Sequence, residues 1–424
     1  MMKRLNYLLS LSWKSSWNRR GTLLLIVFSI ALSTTLLLGI EKTRVQVREN
    51  FVQAVSGTDL VIGARGSNVQ LILYAIFHLG GATNNMGWQS AEQIAKRPEV
   101  DWVIPISLGD THQSYPVVAT NENMFTHYRY QRDKTLTFAK GQKFDGLFDV
   151  VIGSEVAKNL NYELGQKVVL SHGNSTSEIA QHGDKPFEVV GILAPTGTPV
   201  DRSLYIGLEA MEAIHLNWQS GAPIPELNIP ADQITKFDLK PKSITAMLVG
   251  LKKRSHVFAL QKSINEYRSE PLMAVMPGVV MDQIWAMMNS AEKVLLIVSA
   301  LVTVVGLAGL TATILAGLGE RRRELAILRS AGAKPTDILV LLACEGLMLL
   351  VIGVVLGIIL LVLMIVIFSP ILINHYGIFI TLSWPTSGEW FLLGAIMLAG
   401  LVTSMIPAWR AYRMSLADGL SVSK

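Results

Sequence analysis

The chain has 424 residues, half of them hydrophobic and only 16% charged, with a formal net charge of +5 at pH 7. Its mean hydropathy of +0.39 lies between that of a soluble protein and that of a polytopic membrane protein, which implies membrane spans joined to a sizeable polar domain. The single cysteine, Cys344, excludes an internal disulfide and a cysteine-based metal centre. The basic residues flank apolar runs and form no aromatic-interleaved stripe, which argues against nucleic acid.

Residues 1–20 mix Lys3, Arg4, Lys14, Arg19 and Arg20 with Leu5, Leu8, Trp13 and Trp17. They read as an amphipathic helix on the inner membrane surface or as an ordinary basic flank, and both place the N-terminus in the cytoplasm. Thr22–Ile40 is long enough to cross a bilayer at about 1.5 Å per residue. The run is long for a signal-peptide core and no Ala-x-Ala site follows, so residues 21–41 are expected to be an uncleaved first span.

From residue 42 to 293 no apolar run is long enough to span, which predicts a large extracytoplasmic domain. Short Val- and Ile-rich segments predict strands at Asp101–Leu108, Tyr115–Ala119, Val150–Ile152, Lys167–Ser171, Phe187–Leu193 and Ile244–Leu251. Ser154–Asn161, Gly207–Ile214 and Val257–Tyr267 read as helices, so the domain is expected to be α+β. The apolar piece Val69–Leu79 is too short to span; it reads as a buried core helix, with a docking or substrate-contact element as the alternative. Two polar stretches, Ser171–Pro186 and the proline-rich Ser220–Pro241, read as surface loops. The eight histidines are dispersed, with His172 and His182 at the two ends of one polar loop and His78, His112 and His127 elsewhere. Solvated or capping roles are expected for them, and no metal site.

A second span is expected at residues 294–318, where Gly306, Gly309, Thr313 and Gly317 form a small-residue stripe for close helix packing. Residues 319–337 then carry Glu320, Arg321, Arg322, Arg323, Glu324 and Arg329. So much charge cannot lie in hydrocarbon, and its arginines place the loop in the cytoplasm. The spacing predicts a short helix stopped at Gly332, with Pro335 and Asp337 in the first turn of the next helix. The segment is either a grip for a soluble partner or a topology signal alone. The third span, 338–368, is overlong and must tilt or protrude. It holds Glu345, an intramembrane acid that is a functional candidate by default, although a helix–helix hydrogen bond near the cytoplasmic end would suffice. A short outer loop (369–389), a last span (390–407) with Trp384 and Trp390 as interfacial anchors, and a cytoplasmic tail (408–424) complete the chain.

Six stretches carry a resemblance. Glu-Arg-Arg-Arg-Glu-Leu-Ala-Ile-Leu-Arg-Ser-Ala-Gly-Ala at 320–333 resembles the loop after the second membrane helix of MacB/FtsX/LolC-type permeases of ABC systems. Val150–Ala157, Gly165–Val168, Phe187–Leu193 and Pro195–Asp201 resemble the periplasmic core domain of that family. Pro407, Ala408, Arg410 and Ala411 belong to a segment similar to its closing Pro-Ala-x-x-Ala motif, although Leu416-Ala417-Asp418 lacks the usual Asp-Pro. The resemblance implies an integral membrane protein with four transmembrane α-helices and a large α+β extracytoplasmic, MacB-like periplasmic core domain between helices 1 and 2.

No Gly-x-x-x-x-Gly-Lys-[Ser/Thr], His-Glu-x-x-His or Gly-x-Ser-x-Gly motif occurs. The resemblance therefore implies a non-catalytic subunit with no cofactor of its own, bound to a cytoplasmic ABC ATPase dimer that holds ATP and Mg. It further implies a second permease copy and a periplasmic adaptor, lipoprotein or binding protein as partners, in a bacterial inner membrane with both termini cytoplasmic. The segment Glu320–Arg329 with Gly332 would couple ATP hydrolysis to the outer domain by mechanotransmission. The outcome would be export or extraction of a lipoprotein, peptide, lipid, haem or metal-related species; the alternative is signalling to a partner such as a cell-wall hydrolase, without transport.

Overall fold

The computed structural model describes residues 20–52, 56–131, 133–172, 182–219, 222–223, 233–320, 327, 330, 332–376 and 382–413. The chain divides into two compact units. A sheet unit comprises mainly Val47–Met287, and a helical unit is built from the residues up to Gln46 and most of those from Met288 onward.

The sheet unit is organised by eleven strands: β1 (Leu60–Ala64), β2 (Val100–His112), β3 (Tyr115–Thr120), β4 (Phe138–Gly141), β5 (Asp149–Ile152), β6 (Lys167–Val168), β7 (Ser171–His172), β8 (Phe187–Leu193), β9 (Leu204–Gly207), β10 (Ala246–Leu251) and β11 (Leu272–Val275). Nine of them run in the order β11-β1-β10-β2-β3-β9-β5-β8-β4; β7 pairs with the far end of β2, and β6 with β8. The pairs β3–β9 and β5–β8 are parallel and the others antiparallel. The helices are α1 (Arg20–Val52), α2 (Asn68–Ala75), α3 (Trp88–Ala95), α4 (Ser154–Leu160), α5 (Leu208–His215), α6 (Val257–Asn265), α7 (Pro277–Glu320), α8 (Pro335–Tyr376) and α9 (Ser387–Arg413).

Successive strand residues point to opposite faces, and here both faces are covered. Leu60 and Ile62, Val117 and Ala119, Val150 and Ile152, and Leu204 and Ile206 share one core with Ile94 of α3, Val156 of α4, Ile214 of α5 and Leu260 of α6. The intervening Val61, Val118, Val151 and Tyr205 belong to a second core with Leu71 and Ile72 of α2 and Val280 and Met281 of α7. Burial on both sides explains why these strands read as unbroken Val/Ile runs rather than as alternating polar and apolar residues. The predicted strand Phe187–Leu193 has the bounds of β8, whereas Lys167–Ser171 is broken into β6 and β7. The apolar Val69–Leu79 piece yields a core helix that stops at Ala75. The predicted loop Ser171–Pro186 contains β7 at its start and, from 173 to 181, lies outside the described residues, as does half of Ser220–Pro241.

In the helical unit three stretches among the described residues are long and apolar enough to cross a membrane: Leu23–Glu49, Pro335–Ser369 and Ser387–Arg413. Helix α7 adds a shorter apolar stretch, Lys293–Gly309. The expected count of four spans is thus met for three by length and composition. Ile26 and Ile30 of α1, Leu307 of α7, Leu350 of α8 and Ile396 of α9 form the common core. Close approach depends on glycines. A Cβ at Gly357 would stand 2.7 Å from the Ala31 carbonyl, and one at Gly353 would stand 2.7 Å from the Ile30 side chain. Of the predicted stripe, Gly306 abuts Ser33, where a Cβ would lie 2.6 Å from its hydroxyl, while Gly309 faces open space. The N-terminal segment 1–19 and the tail 414–424 lie outside the described residues.

Candidate functional site

In the sheet unit, the last turn of one helix, two paired strands and the segment before β8 bring four ionisable side chains together. Asp110 near the end of β2 and His172 of β7 are directly opposite in the antiparallel register, so their side chains leave the sheet on the same face. His172 Nδ1 lies 3.0 Å from Asp110 Oδ1. His215 is the last residue of α5, and its Nδ1 donates to the Met211 carbonyl at 2.8 Å, one turn earlier. A carbonyl only accepts, so the proton of neutral His215 sits on Nδ1 and Nε2 offers a lone pair. That Nε2 is 3.3 Å from His172 Nδ1 and 3.6 Å from Asp110 Oδ1. His182 completes the group, with Nε2 3.6 Å from Asp110 Oδ2.

One donor-type atom from each of the four residues lies within 4.8 Å of the rest. The side chains of Asp110 and His182 are wholly buried, whereas those of His172 and His215 are 38% and 26% exposed. The Trp218 indole covers the group, its ring centroid 4.5 Å from that of His182. Burial opposes ionisation of Asp110, but hydrogen bonds from His172 and His215 and the charges of His215 and His182 outweigh it and hold the carboxyl at about 2. Burial likewise pushes His182 down to about 4, so its ring is neutral at pH 7. At His215 burial is outweighed by the Asp110 hydrogen bond and charge and by the Met211 carbonyl, and the pKa is raised. The adjacent buried Lys185 is paired with Asp184 at 2.8 Å and donates to the Asn217 side-chain amide oxygen at 3.1 Å.

Beside this group opens a cleft of about 820 Å³, whose walls include Phe77, His78, Glu155, Arg202 and Thr245 and the 108–111 stretch of β2. The segment that follows α2 thus reaches the cleft although α2 itself is core. His78 adopts a left-handed backbone (φ 53°) and its Nδ1 lies 2.8 Å from the Ser203 hydroxyl. Arg202 pairs with Glu155 at 3.2 Å across the wall.

The residues singled out for coupling lie at and beyond the end of α7. Glu320 is its last residue, and Arg321, Arg322, Arg323, Glu324 and Arg329 fall outside the described residues. Gly332 has φ +99°, a conformation that glycine adopts without strain. Pro335 opens α8 and the Asp337 carboxylate accepts the Lys334 N–H at 2.9 Å, an arrangement that starts the helix. Glu345 is 5% exposed and engaged with the surrounding protein. In the Pro407–Ala411 segment Ala408 and Ala411 are buried one turn apart against Ile338 and Leu342 of α8, and Arg410 is exposed. Sequence reasoning did not single out a further polar cluster in the helical unit. Glu389 and Thr386 form a reciprocal capping box at the start of α9, with N–H···O distances of 3.1 and 3.3 Å. The second Glu389 oxygen faces Lys42 of α1 at 3.7 Å, and Lys42 also donates to the Ser383 carbonyl at 3.1 Å.

Residues 21–267 match the MacB-like periplasmic core domain, more than half of the chain, and residues 296–416 match the FtsX-like permease C-terminal domain. The chain belongs to the MacB/FtsX-type ABC permease family. It is therefore a membrane protein of a family of permease subunits that are generally non-catalytic and work with cytoplasmic ABC ATPases. Among solved structures, the periplasmic region of MacB from Actinobacillus actinomycetemcomitans is 11% identical (TM-score 0.33), covering 55% of this chain and 95% of that one. The extracellular domain of the noncanonic ABC-type transporter YknZ from Gram-positive bacteria is 10% identical (TM-score 0.29), covering 51% and 98%. At these scores neither likeness carries weight beyond the sequence match. No curated relative matches the chain.

Proposed function

We propose that this permease couples ATP hydrolysis by a separate cytoplasmic ATPase dimer to movement of its outer domain, and that the movement drives export or extraction of a substrate. The observation that carries this reading is the union in one chain of an FtsX-like permease half and a MacB-like outer half without a phosphate-cradling motif anywhere in the sequence. ATP and Mg²⁺ then reside on the partner. The chain crosses the inner membrane four times, with α7 supplying the second span, both termini in the cytoplasm and a second permease copy completing the assembly. Glu320–Arg329 is the grip for the ATPase, Gly332 turns the chain into α8, and the Pro407–Ala411 segment keeps the cytoplasmic ends of α8 and α9 together. The open cleft of the sheet unit favours substrate handling over signalling, because signalling alone requires no cavity.

Two measurements test this. Purification of the chain from its native membranes in mild detergent is expected to recover an ATPase together with a periplasmic adaptor or binding protein. A cell-wall hydrolase in place of the adaptor would favour signalling, and no ATPase would defeat the reading. The variant Arg329→Glu is expected to insert normally while ATP hydrolysis no longer moves the outer domain; fully coupled activity would remove the grip assignment.

A further inference from the structure

Three of the dispersed histidines converge on one buried carboxylate, and a purely structural histidine is available nearby for comparison. His112 lies two residues beyond Asp110 on the same strand face, and both of its ring nitrogens are satisfied, by the Val169 carbonyl at 2.7 Å and the Tyr162 hydroxyl at 2.9 Å. His182 is the opposite case. It is fully buried, yet neither ring nitrogen has a hydrogen-bond partner among the described residues, and Asp110 Oδ2, also fully buried, has none either. Buried polar atoms are nearly always hydrogen-bonded, so such orphans point to an absent occupant.

We propose that Asp110, His172, His182 and His215 bind a divalent cation of the late first row, with Zn²⁺ as the first choice. Four arguments carry this, and none depends on the transport reading. The first is spacing. Tetrahedral Zn²⁺ with bonds of about 2.0–2.1 Å sets its ligand atoms about 3.3 Å apart. Four of the distances are 3.0 Å (His172–Asp110), 3.3 Å (His215–His172) and 3.6 Å (His215–Asp110 and, through the other carboxylate oxygen, His182–Asp110), and one ligand atom from each residue lies within 4.8 Å of the rest. The second is donor type: three imidazoles and one carboxylate suit zinc, nickel or copper, whereas calcium and magnesium take oxygen ligands. The third is orientation. The Met211 carbonyl holds the His215 Nδ1 proton and so aims Nε2 inward, as an outer partner does for a metal-bound imidazole. The fourth is charge, since the wholly buried Asp110 carboxylate supplies an anionic ligand for a dication. His172 and His215, being partly exposed, mark the side from which the cation enters.

The test uses the untagged full-length chain in detergent, because a polyhistidine tag would itself bind the probe. The protein is stripped with a chelator, dialysed and given Zn²⁺, and retained metal is measured. One Zn²⁺ per chain is expected. Co²⁺ should bind with the intense visible absorption of tetrahedral coordination and be displaced by Zn²⁺, while Mg²⁺ and Ca²⁺ should not compete. His172→Ala and His215→Ala alter partly exposed side chains and should leave the fold intact by near-ultraviolet circular dichroism. Each is expected to weaken Zn²⁺ binding by at least about 100-fold, the upper end of what loss of an outer partner alone produces. No retained Zn²⁺ in the wild type, or unchanged affinity in both variants, would overturn the site.

Discussion

The sheet unit and the helical unit are both rich in Val, Ile and Leu but use them in opposite ways. In the sheet unit strand residues are buried on both faces, and Leu60, Val61 and Ile62 in succession are wholly inaccessible. In the helical unit large apolar residues such as Leu25 and Val305 remain about 70% exposed, while the contacts between helices run through Gly306, Gly353, Gly357 and Gly400. Water drives the first arrangement. In the second the surrounding lipid is as apolar as the side chains, so association relies on close packing at small residues. The glycines differ in what they admit: Gly141, Gly153 and Gly191 of the sheet unit admit a backbone carbonyl, whereas Gly306, Gly353 and Gly400 of the helical unit admit a neighbouring side chain.

That contrast is breakable. The largest effect is expected from Gly191→Val in β8, because a Cβ there would stand 2.2 Å from the Gln142 carbonyl, a backbone atom that cannot step aside. A loss of about 3 kcal/mol or more is expected, read as unfolding at lower denaturant and as rapid proteolysis of the sheet unit. Gly400→Ala meets only the flexible end of Leu350, 2.4 Å from the built Cβ, and should cost about 1–3 kcal/mol. Equal losses for the two variants would refute the distinction.

Next comes the buried charge of the helical unit. Lys42 and Glu389 have side chains only 9% and 7% exposed. Lys42→Met or Glu389→Gln alone leaves one charge without its partner and should cost about 3 kcal/mol. The double variant should recover part of that loss, since glutamine keeps the capping role. Additive losses in thermal unfolding of the detergent-solubilised chain would show that the pair is not coupled.

The smallest expected effect belongs to the cleft. Burial pushes His78 down to about 4, below the ordinary value of about 6.5. The unfolded chain therefore takes up the proton first, so this contribution is complete above about pH 6.5 and disappears as the pH falls toward 4. With His78 only partly buried, about 1–2 kcal/mol is expected over that interval. His78→Gln should flatten the acid limb of stability against pH by that amount, and an unaltered acid limb would contradict it.

Much of this architecture is legible in the sequence where local chemistry decides the outcome. The stretch Phe187–Leu193 is β-branched and bounded by polar turns, and it is β8. Gly332 and Pro335 mark the turn into α8 by local backbone chemistry alone. Strands β1, β9 and β11 escape notice because each is only four or five residues long, too short for a period to register. The four-residue cluster is harder still. His172 and His182 stand out as the ends of one polar loop, but Asp110 and His215 come from a strand terminus and a helix terminus at separations that fit no spacing rule. Only the β2–β7 register and the end of α5 bring them together.

The position of β1 in the sheet has a consequence for how the protein is made. Both of its neighbours, β10 and β11, are synthesised near the end of the domain. Roughly 180 residues must follow β1 before the first of them exists, about 10–40 s at ordinary ribosomal rates. During that interval Leu60, Val61 and Ile62 offer an unpaired apolar edge to any strand nearby. Slowing synthesis of the last two strands is therefore expected to lengthen the time in which this edge can pair wrongly.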